Sequence, residues 1–201
     1  MRTVMNTTIY RYRPIRFSED FIQAIPGEAL HILHLGSGDG QQLAALRTAD
    51  SHRRLYGADK DAECCQQAAA CLDQVFHVDI QHENPPLKRG SMDCLLIENL
   101  LERLESPEEM LQRMSELLKP AGCIVAQVTC SQFGPSASYW WQCRENAQSV
   151  CKVIRRFSFN CLETLFAQSG MCIEVLNRTS VAYSESKQLI LRARFSEQII
   201  Y

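Results

Sequence analysis

The chain has 201 residues, of which 46% are hydrophobic and 22% charged, with a formal net charge of −2. One ordinary globular domain of this size buries about 70% of the surface its unfolded chain exposes, so it needs no staple. The near-zero charge argues against a dedicated nucleic-acid binder, and no apolar run approaches the ~20 residues of a membrane span. No apolar leader opens the chain, so a cytoplasmic location is expected, with no membrane span and a monomer or homodimer. Ten cysteines are the oddity. They form no C-x-x-C pair, and Cys64 and Cys65 are adjacent. Cys94, Cys123 and Cys172 fall in apolar contexts, so reduced cysteine used as a small hydrophobe is the expected role. His77, Asp79 and His82 form one mixed H-x-D-x-x-H stretch, too short to define a metal site; no metal is expected.

Residues 1–29 read as an N-terminal arm and a short helix. The arm carries Arg2, Arg11, Arg13 and Arg16 with Tyr10, Tyr12 and Phe17 between them. Ser18 is placed to cap the helix SEDFIQAI, which Pro26-Gly27 ends. From residue 30 to 201 a single domain is expected. LHILHL is a first strand, GSGDG a glycine-rich loop, and QQLAALRTA a helix. RRLYGAD is a second strand before the helix DAECCQQAAACL, and QVFHVDI a third. SMDCLLIEN is a fourth strand, followed by the helix PEEMLQRMSELL with Pro107 in its first turn. Lys119-Pro120-Ala121-Gly122 reads as a turn into a fifth strand, CIVAQVT. Residues 129 to about 156 break the rhythm and read as a substrate-side insert. A last helix, FNCLETLFAQSG, precedes MCIEVLNRTSVAY and KQLILRARF, two strands whose polar connection SESK predicts an antiparallel pair. Strands alternating with helices, in apolar runs without strict alternation, predict a doubly wound parallel sheet with an antiparallel end.

In such a sheet a ligand lies beyond the carboxyl ends of the strands, at the switch point in their order. The residues just after each strand therefore carry the functional information. Gly36-Ser37-Gly38-Asp39-Gly40 allows positive φ and close backbone approach. Its spacing is G-x-G-x-G, whereas a dinucleotide fingerprint is G-x-G-x-x-G, and Asp39 would repel a phosphate. A nucleoside without phosphates suits this loop better. Asp59 lies 19 residues beyond Gly40 (59 − 40), where a carboxylate accepts hydrogen bonds from a ribose diol. Asp61 reads as the cap of the following helix. Asp79 can accept an exocyclic amine of adenine, with an apolar neighbour against the ring, and Glu98-Asn99 follow the fourth strand.

The motifs HLGSGDG, YGADKDAE, FHVDI and SMDCLLIENLLERLESPEEMLQRMSELLKPAGCIVAQV, in that order and spacing, resemble those of the class I S-adenosylmethionine-dependent methyltransferases. The later IRRFSFNCLETLFAQSGMCIEVL resembles the tail of a bacterial subgroup of methyltransferase types 11, 12 and 23, whose members accompany glycan and natural-product pathways. The resemblance runs from about residue 30 to 195. It implies a Rossmann-like, mostly parallel seven-stranded sheet with an antiparallel last strand, in a three-layer α/β/α sandwich. It also implies S-adenosyl-L-methionine as cofactor and S-adenosyl-L-homocysteine as product. By position, Gly36, Ser37 and Gly38 would line the methionine and ribose part of the cofactor. Asp59 would bind the ribose hydroxyls, with Lys60 beside the adenine that Asp79 and Ile80 hold. Glu98 and Asn99 would face the methionine end and the transferred methyl group.

The chain departs from the family pattern at His34, where an acid usually helps seat the cofactor ammonium. Arg103 replaces a frequent histidine and Ala121 a glycine. A neutral imidazole at 34 can accept one hydrogen bond, or be a core residue. No residue is assigned as a general base or catalytic group. Arg103, Tyr139, Trp140 and Trp141 are the expected acceptor contacts, the three aromatics offering flat faces with polar edges. A small-molecule or glycan acceptor fits the short insert. A non-catalytic, methyltransferase-like binding or scaffold protein is the alternative, and a nucleotide-dependent oxidoreductase the weakest.

Overall fold

The computed structural model describes residues 17–48, 52–131, 157–180 and 186–196. The N-terminal arm before Phe17 and the aromatic run Tyr139, Trp140 and Trp141 lie outside them. In the described residues seven strands form one sheet. They are β1 (His31–Leu35), β2 (Arg54–Asp59), β3 (Gln74–His77), β4 (Met92–Glu98), β5 (Leu118–Ser131), β6 (Met171–Ser180) and β7 (Ser186–Phe195). Their order is β3-β2-β1-β4-β5-β7-β6. The pairs from β3 to β5 are parallel, and β7 runs antiparallel to both neighbours. This is the predicted seven-stranded, mostly parallel sheet with its antiparallel end.

Helices α1 (Glu19–Gln23), α2 (Gln41–Ala44), α3 (Ala62–Ala68), α4 (Pro107–Ser115) and α5 (Phe159–Ala167) complete the layers. One core face joins Leu33, Leu95, Ile97, Ile124 and Leu191 to Met110 and Met114 of α4 and Phe166 of α5. The other joins Ile32, Leu55, Leu96 and Val125 to Phe21 of α1, Leu43 of α2 and Ala68 of α3. Each central strand is thus buried on both faces, which is why its sequence reads as a continuous apolar run.

Local chemistry sets the helix starts. Ser18 Oγ accepts from Phe21 N at 3.2 Å, and Asp61 Oδ1 accepts from Glu63 N and Cys64 N at 2.9 and 3.0 Å. Ser158 does the same for Cys161 N at 3.3 Å. At the C-terminus of α1, Arg192 donates from Nε and an Nη to Ala24 O at 3.1 and 2.6 Å. A guanidinium on the last carbonyls of a helix satisfies acceptors that the helix itself leaves open. The amino ends of the strands are held by acids. Asp93 accepts from His31 N at 2.8 Å and from Lys119 Nζ at 2.7 Å, joining β1, β4 and β5.

Four details differ from expectation. Lys119-Pro120-Ala121-Gly122 is not a turn before β5 but part of it, opposite a register shift between Met92 and Cys94. An irregular strand absorbs the proline by breaking the ladder locally. Thr129 closes the expected strand CIVAQVT, and Cys130 and Ser131, placed in the insert, continue β5, because β7 supplies Gln188, Lys187 and Ser186 as ladder partners. Cys65, Cys94, Cys123 and Cys130 are buried as expected, but Cys172 is exposed. It lies on β6, the last strand of the sheet. The helix expected over QQLAALRTA is one α-turn followed by a 3₁₀ segment, Ala45–Thr48.

Candidate cofactor and acceptor site

The strand order reverses direction between β1 and β4, since the chain leaves β1 for β2 on one side and β4 for β5 on the other. In an open sheet this switch point, beyond the carboxyl ends, is where a ligand crevice lies. The loop after β1 forms one wall. Gly36, Gly38 and Gly40 have φ of 74°, 54° and 75°, in the left-handed region that side chains disfavour. A Cβ on Gly38 would meet nothing within 4 Å, so this part of the loop faces open space. Behind it the packing is tight: a Cβ on Gly57 of β2 would lie 2.6 Å from Ser37 Oγ and 2.8 Å from Leu72 Cδ1. The backbone of β2 can approach the loop only without a side chain there. Ser37 Oγ is buried and has no hydrogen-bond partner.

Asp59, at the end of β2, orders this wall. One carboxylate oxygen accepts from Gly38 N at 2.8 Å and the other from Asp61 N at 2.9 Å. Its carboxylate is half-buried and rigidly placed beside the glycine loop. Lys60 is exposed, and its carbonyl accepts from His77 Nε2 at 3.0 Å. Asp79 Oδ1 accepts from Gln81 N at 3.1 Å, which turns the chain after β3. Ile80 is buried in the core, its carbonyl held by Arg113 at 2.7 Å. His77 and Asp79 are therefore held by backbone, and among the described residues no group of three histidine, cysteine or acidic side chains is placed to hold a metal.

The other wall is the end of β4. Leu35 pairs with Ile97, so Glu98 stands across from the start of the glycine loop. Gln127 of β5, buried at 4% exposure, donates from Nε2 to Glu98 Oε1 at 3.3 Å. Burial pushes the Glu98 carboxyl up to about 7, against the opposing pull of the Arg103 charge and the Gln127 bond. Asn99 has a positive φ of 48°, and its Oδ1 accepts from Gln188 Nε2 of β7 at 3.4 Å. Arg103 is exposed on the 3₁₀ turn Leu101–Arg103. One turn residue earlier, Glu102 is only 3% exposed, with one oxygen accepting from Thr129 N at 2.6 Å and the other without a partner. It ties the turn after β4 to the end of β5.

The structure thus gathers Gly36, Ser37, Gly38 and Asp59 on one wall and Glu98 and Asn99 on the other. Lys60, Asp79 and Ile80 lie along the β2–β3 side. Gln127, Gln188 and Glu102 were missed. A glutamine inside CIVAQV is a buried polar residue in an apolar strand, which is a readable signal. Gln188 reaches Asn99 from 89 positions away, and no local pattern could have shown it. His34 is the plainest departure. It is 3% exposed, its ring packs on Phe17 with centroids 5.2 Å apart, and its Nδ1 has no partner. Burial pushes its imidazole down to about 4. It is a neutral core residue under α1, one of the two roles the sequence allowed.

Residues 33–126 match the family model described as a methyltransferase domain. Residues 33–126 therefore resemble a methyltransferase domain, and the fold is the one seen in S-adenosylmethionine-dependent methyltransferases. Among curated proteins, it is 31% identical over 110 residues to an uncharacterized 37.1 kDa protein of a transposon, TN4556, from Streptomyces fradiae. That match covers 53% of this chain, and the chain spans 31% of the length of that relative. Among solved structures, it resembles 1,6-didemethyltoxoflavin-N1-methyltransferase of Burkholderia thailandensis, bound to 1,6-didemethyltoxoflavin and S-adenosylhomocysteine. The TM-score is 0.61 at 18% identity, over 83% of this chain and 71% of that one. The [4+2]-cyclase SpnF gives 0.64 at 16% identity, over 83% and 75%. These likenesses establish the fold.

S-adenosylmethionine, the cofactor of this domain class, fits the residues present. The open side of Gly38 leaves room for a ligand against the loop. Asp59 and Glu98 present carboxylates at the ends of β2 and β4, and Asp79 follows β3. No helix among the described residues is long and apolar enough to cross a membrane.

Proposed function

We propose that the protein is an S-adenosylmethionine-dependent methyltransferase acting on a small molecule or a glycan or natural-product precursor. The observation that carries the reading is the Asp59 carboxylate locked against Gly38 N beside an open, positive-φ glycine loop. Held here, the cofactor would supply an electrophilic methyl group on a positively charged sulfur, for an acceptor nucleophile to take up while a neutral thioether is left behind. The residues of the chain position and desolvate. Asp59, fixed by two backbone N–H groups, receives the ribose hydroxyls without reorganising. Asp79 receives the exocyclic amine of the base. Glu98 and Asn99 border the methionine end. Gln127 and Gln188 continue the polar wall away from the glycine loop, toward the acceptor side, and Arg103 lies at its rim. Residues 30–201 are proposed as the methyltransferase domain, with Tyr139, Trp140 and Trp141 as acceptor contacts; these three and the N-terminal arm lie outside the described residues.

A second reading, a methyltransferase-like protein that binds without turning over, is favoured by His34, which places a neutral, inward-packed ring where the family pattern carries an acid. Calorimetric titration with S-adenosylmethionine and S-adenosylhomocysteine tests the first reading. Binding of both, weakened at least tenfold by Asp59→Ala (about 1.4 kcal/mol), supports it. A folded wild type that binds neither overturns it. Tight binding without methyl transfer to a broad panel of small acceptors supports the second reading.

A further inference from the structure

At the carboxyl ends of the strands and their adjoining loops, most acids are engaged by backbone. Asp59 accepts from Gly38 N and Asp61 N, Asp39 from Gln41 N at 3.1 Å, Asp79 from Gln81 N, and Glu102 from Thr129 N. Glu98 differs. Its partner among the described residues is a neutral amide, Gln127, at the long distance of 3.3 Å. It also sits at the boundary of the crevice, with the glycine loop on one side and the amides of Gln127, Asn99 and Gln188 on the other. The end of a cofactor that is handed to an acceptor lies at such a boundary. S-adenosylmethionine and S-adenosylhomocysteine share adenosine, ammonium and carboxylate. They differ in the methyl group and in the charge on sulfur.

We propose that Glu98 is the residue by which this chain tells the sulfonium cofactor from its thioether product. The inference rests on the reading of the crevice as the cofactor site. A carboxylate in a partly dehydrated wall attracts a cation strongly and gives a neutral sulfur nothing comparable. Loss of the methyl group therefore removes the attraction and loosens the product. The same placement makes the preference depend on pH, because burial keeps this carboxyl protonated up to near neutrality. The charged and titratable groups around it are few in kind. Gln127 and Gln188 from β5 and β7 and Asn99 from its own strand end are neutral. Arg103 and Glu102 come from the 3₁₀ turn, Asp39 and Asp59 from the opposite wall. His34 of β1, on the same sheet face, stays neutral above about pH 4.

The test is calorimetric titration of the full-length wild type and Glu98→Gln with three ligands at pH 7.5 and 5.5. The ligands are S-adenosylmethionine, S-adenosylhomocysteine and sinefungin, which carries an amine cation in place of the sulfonium. At pH 7.5 the substitution is expected to weaken S-adenosylmethionine and sinefungin about tenfold or more while S-adenosylhomocysteine stays within about twofold. The wild-type preference for the cations is expected to shrink at pH 5.5, and that of Glu98→Gln to be the same at both values, which also controls for titration of the ligands. Equal weakening of all three ligands, or an unchanged preference, overturns the inference and leaves the cofactor reading standing. A folded wild type that binds none of the three overturns both.

Discussion

His34 is expected to make the folded state acid-sensitive, and the size of the effect follows from its burial. The ring, on β1, is 3% exposed and packs against Phe17 just before α1, with Nδ1 unpartnered. In the unfolded chain the imidazole takes a proton near 6.5, whereas in the folded protein burial delays that to about 4. The sign follows from counting protons. Above about pH 6.5 neither state is protonated, so His34 contributes no slope. As pH falls toward 4 the unfolded chain binds a proton that the native state refuses, and native stability drops. At about 1.4 kcal/mol per pH unit over that interval, the full loss is about 3 kcal/mol. Glu98 works the other way, because its folded value of about 7 lies above the ordinary 4.5. Its stabilisation is complete below about pH 4.5 and is lost as pH rises through 7. A plain stability profile would therefore mix two opposed slopes. The clean measurement is urea unfolding of wild type and His34→Leu at several values between pH 7.5 and 4, compared as a difference, in which Glu98 and the aspartates cancel. Relative to the variant, wild type is expected to lose about 3 kcal/mol across the range. A difference constant to within about 0.5 kcal/mol would refute the burial of an unpartnered imidazole at this position.

Gly57→Ala is expected to lower stability by about 1–3 kcal/mol by overpacking, since the new methyl has Ser37 and Leu72 under 3 Å away; thermal unfolding reads it directly. Gly38→Ala meets no such obstruction and is expected to cost about 1 kcal/mol from its positive φ, while reducing cofactor affinity more than stability, as calorimetry beside thermal unfolding would show. Glu102→Ala leaves the Thr129 N–H without its carboxylate and is expected to lose about 1–3 kcal/mol, whereas Glu102→Gln keeps an acceptor oxygen and loses less; paired denaturant curves separate the two.

Much of the fold was legible because its signals are local. Continuous apolar runs such as LHILHL and DCLLIE mark strands buried on both faces, and Ser18, Asp61 and Pro107 mark helix starts by chemistry confined to one turn. The G-x-G-x-G loop, the acids ending β2 and β4 and the acid just beyond β3 were legible for the same reason, since each is read along the chain at or near a strand end. Tertiary structure decided what those acids do. Asp59 and Glu98 read alike in sequence, yet one is held by two backbone N–H groups and the other faces a buried amide. That difference depends on which strands lie side by side, and β7, nearly a hundred residues on, supplies Gln188 to the same wall. His34 shows the same limit, because only the docking of α1 through Phe17 and Phe21 turns it into a buried neutral ring. Composition and periodicity settle which residues are strand and helix. Whether a carboxylate or an imidazole at a strand end is anchored, buried or left open to a ligand depends on its neighbours in space, and these come from distant parts of the chain.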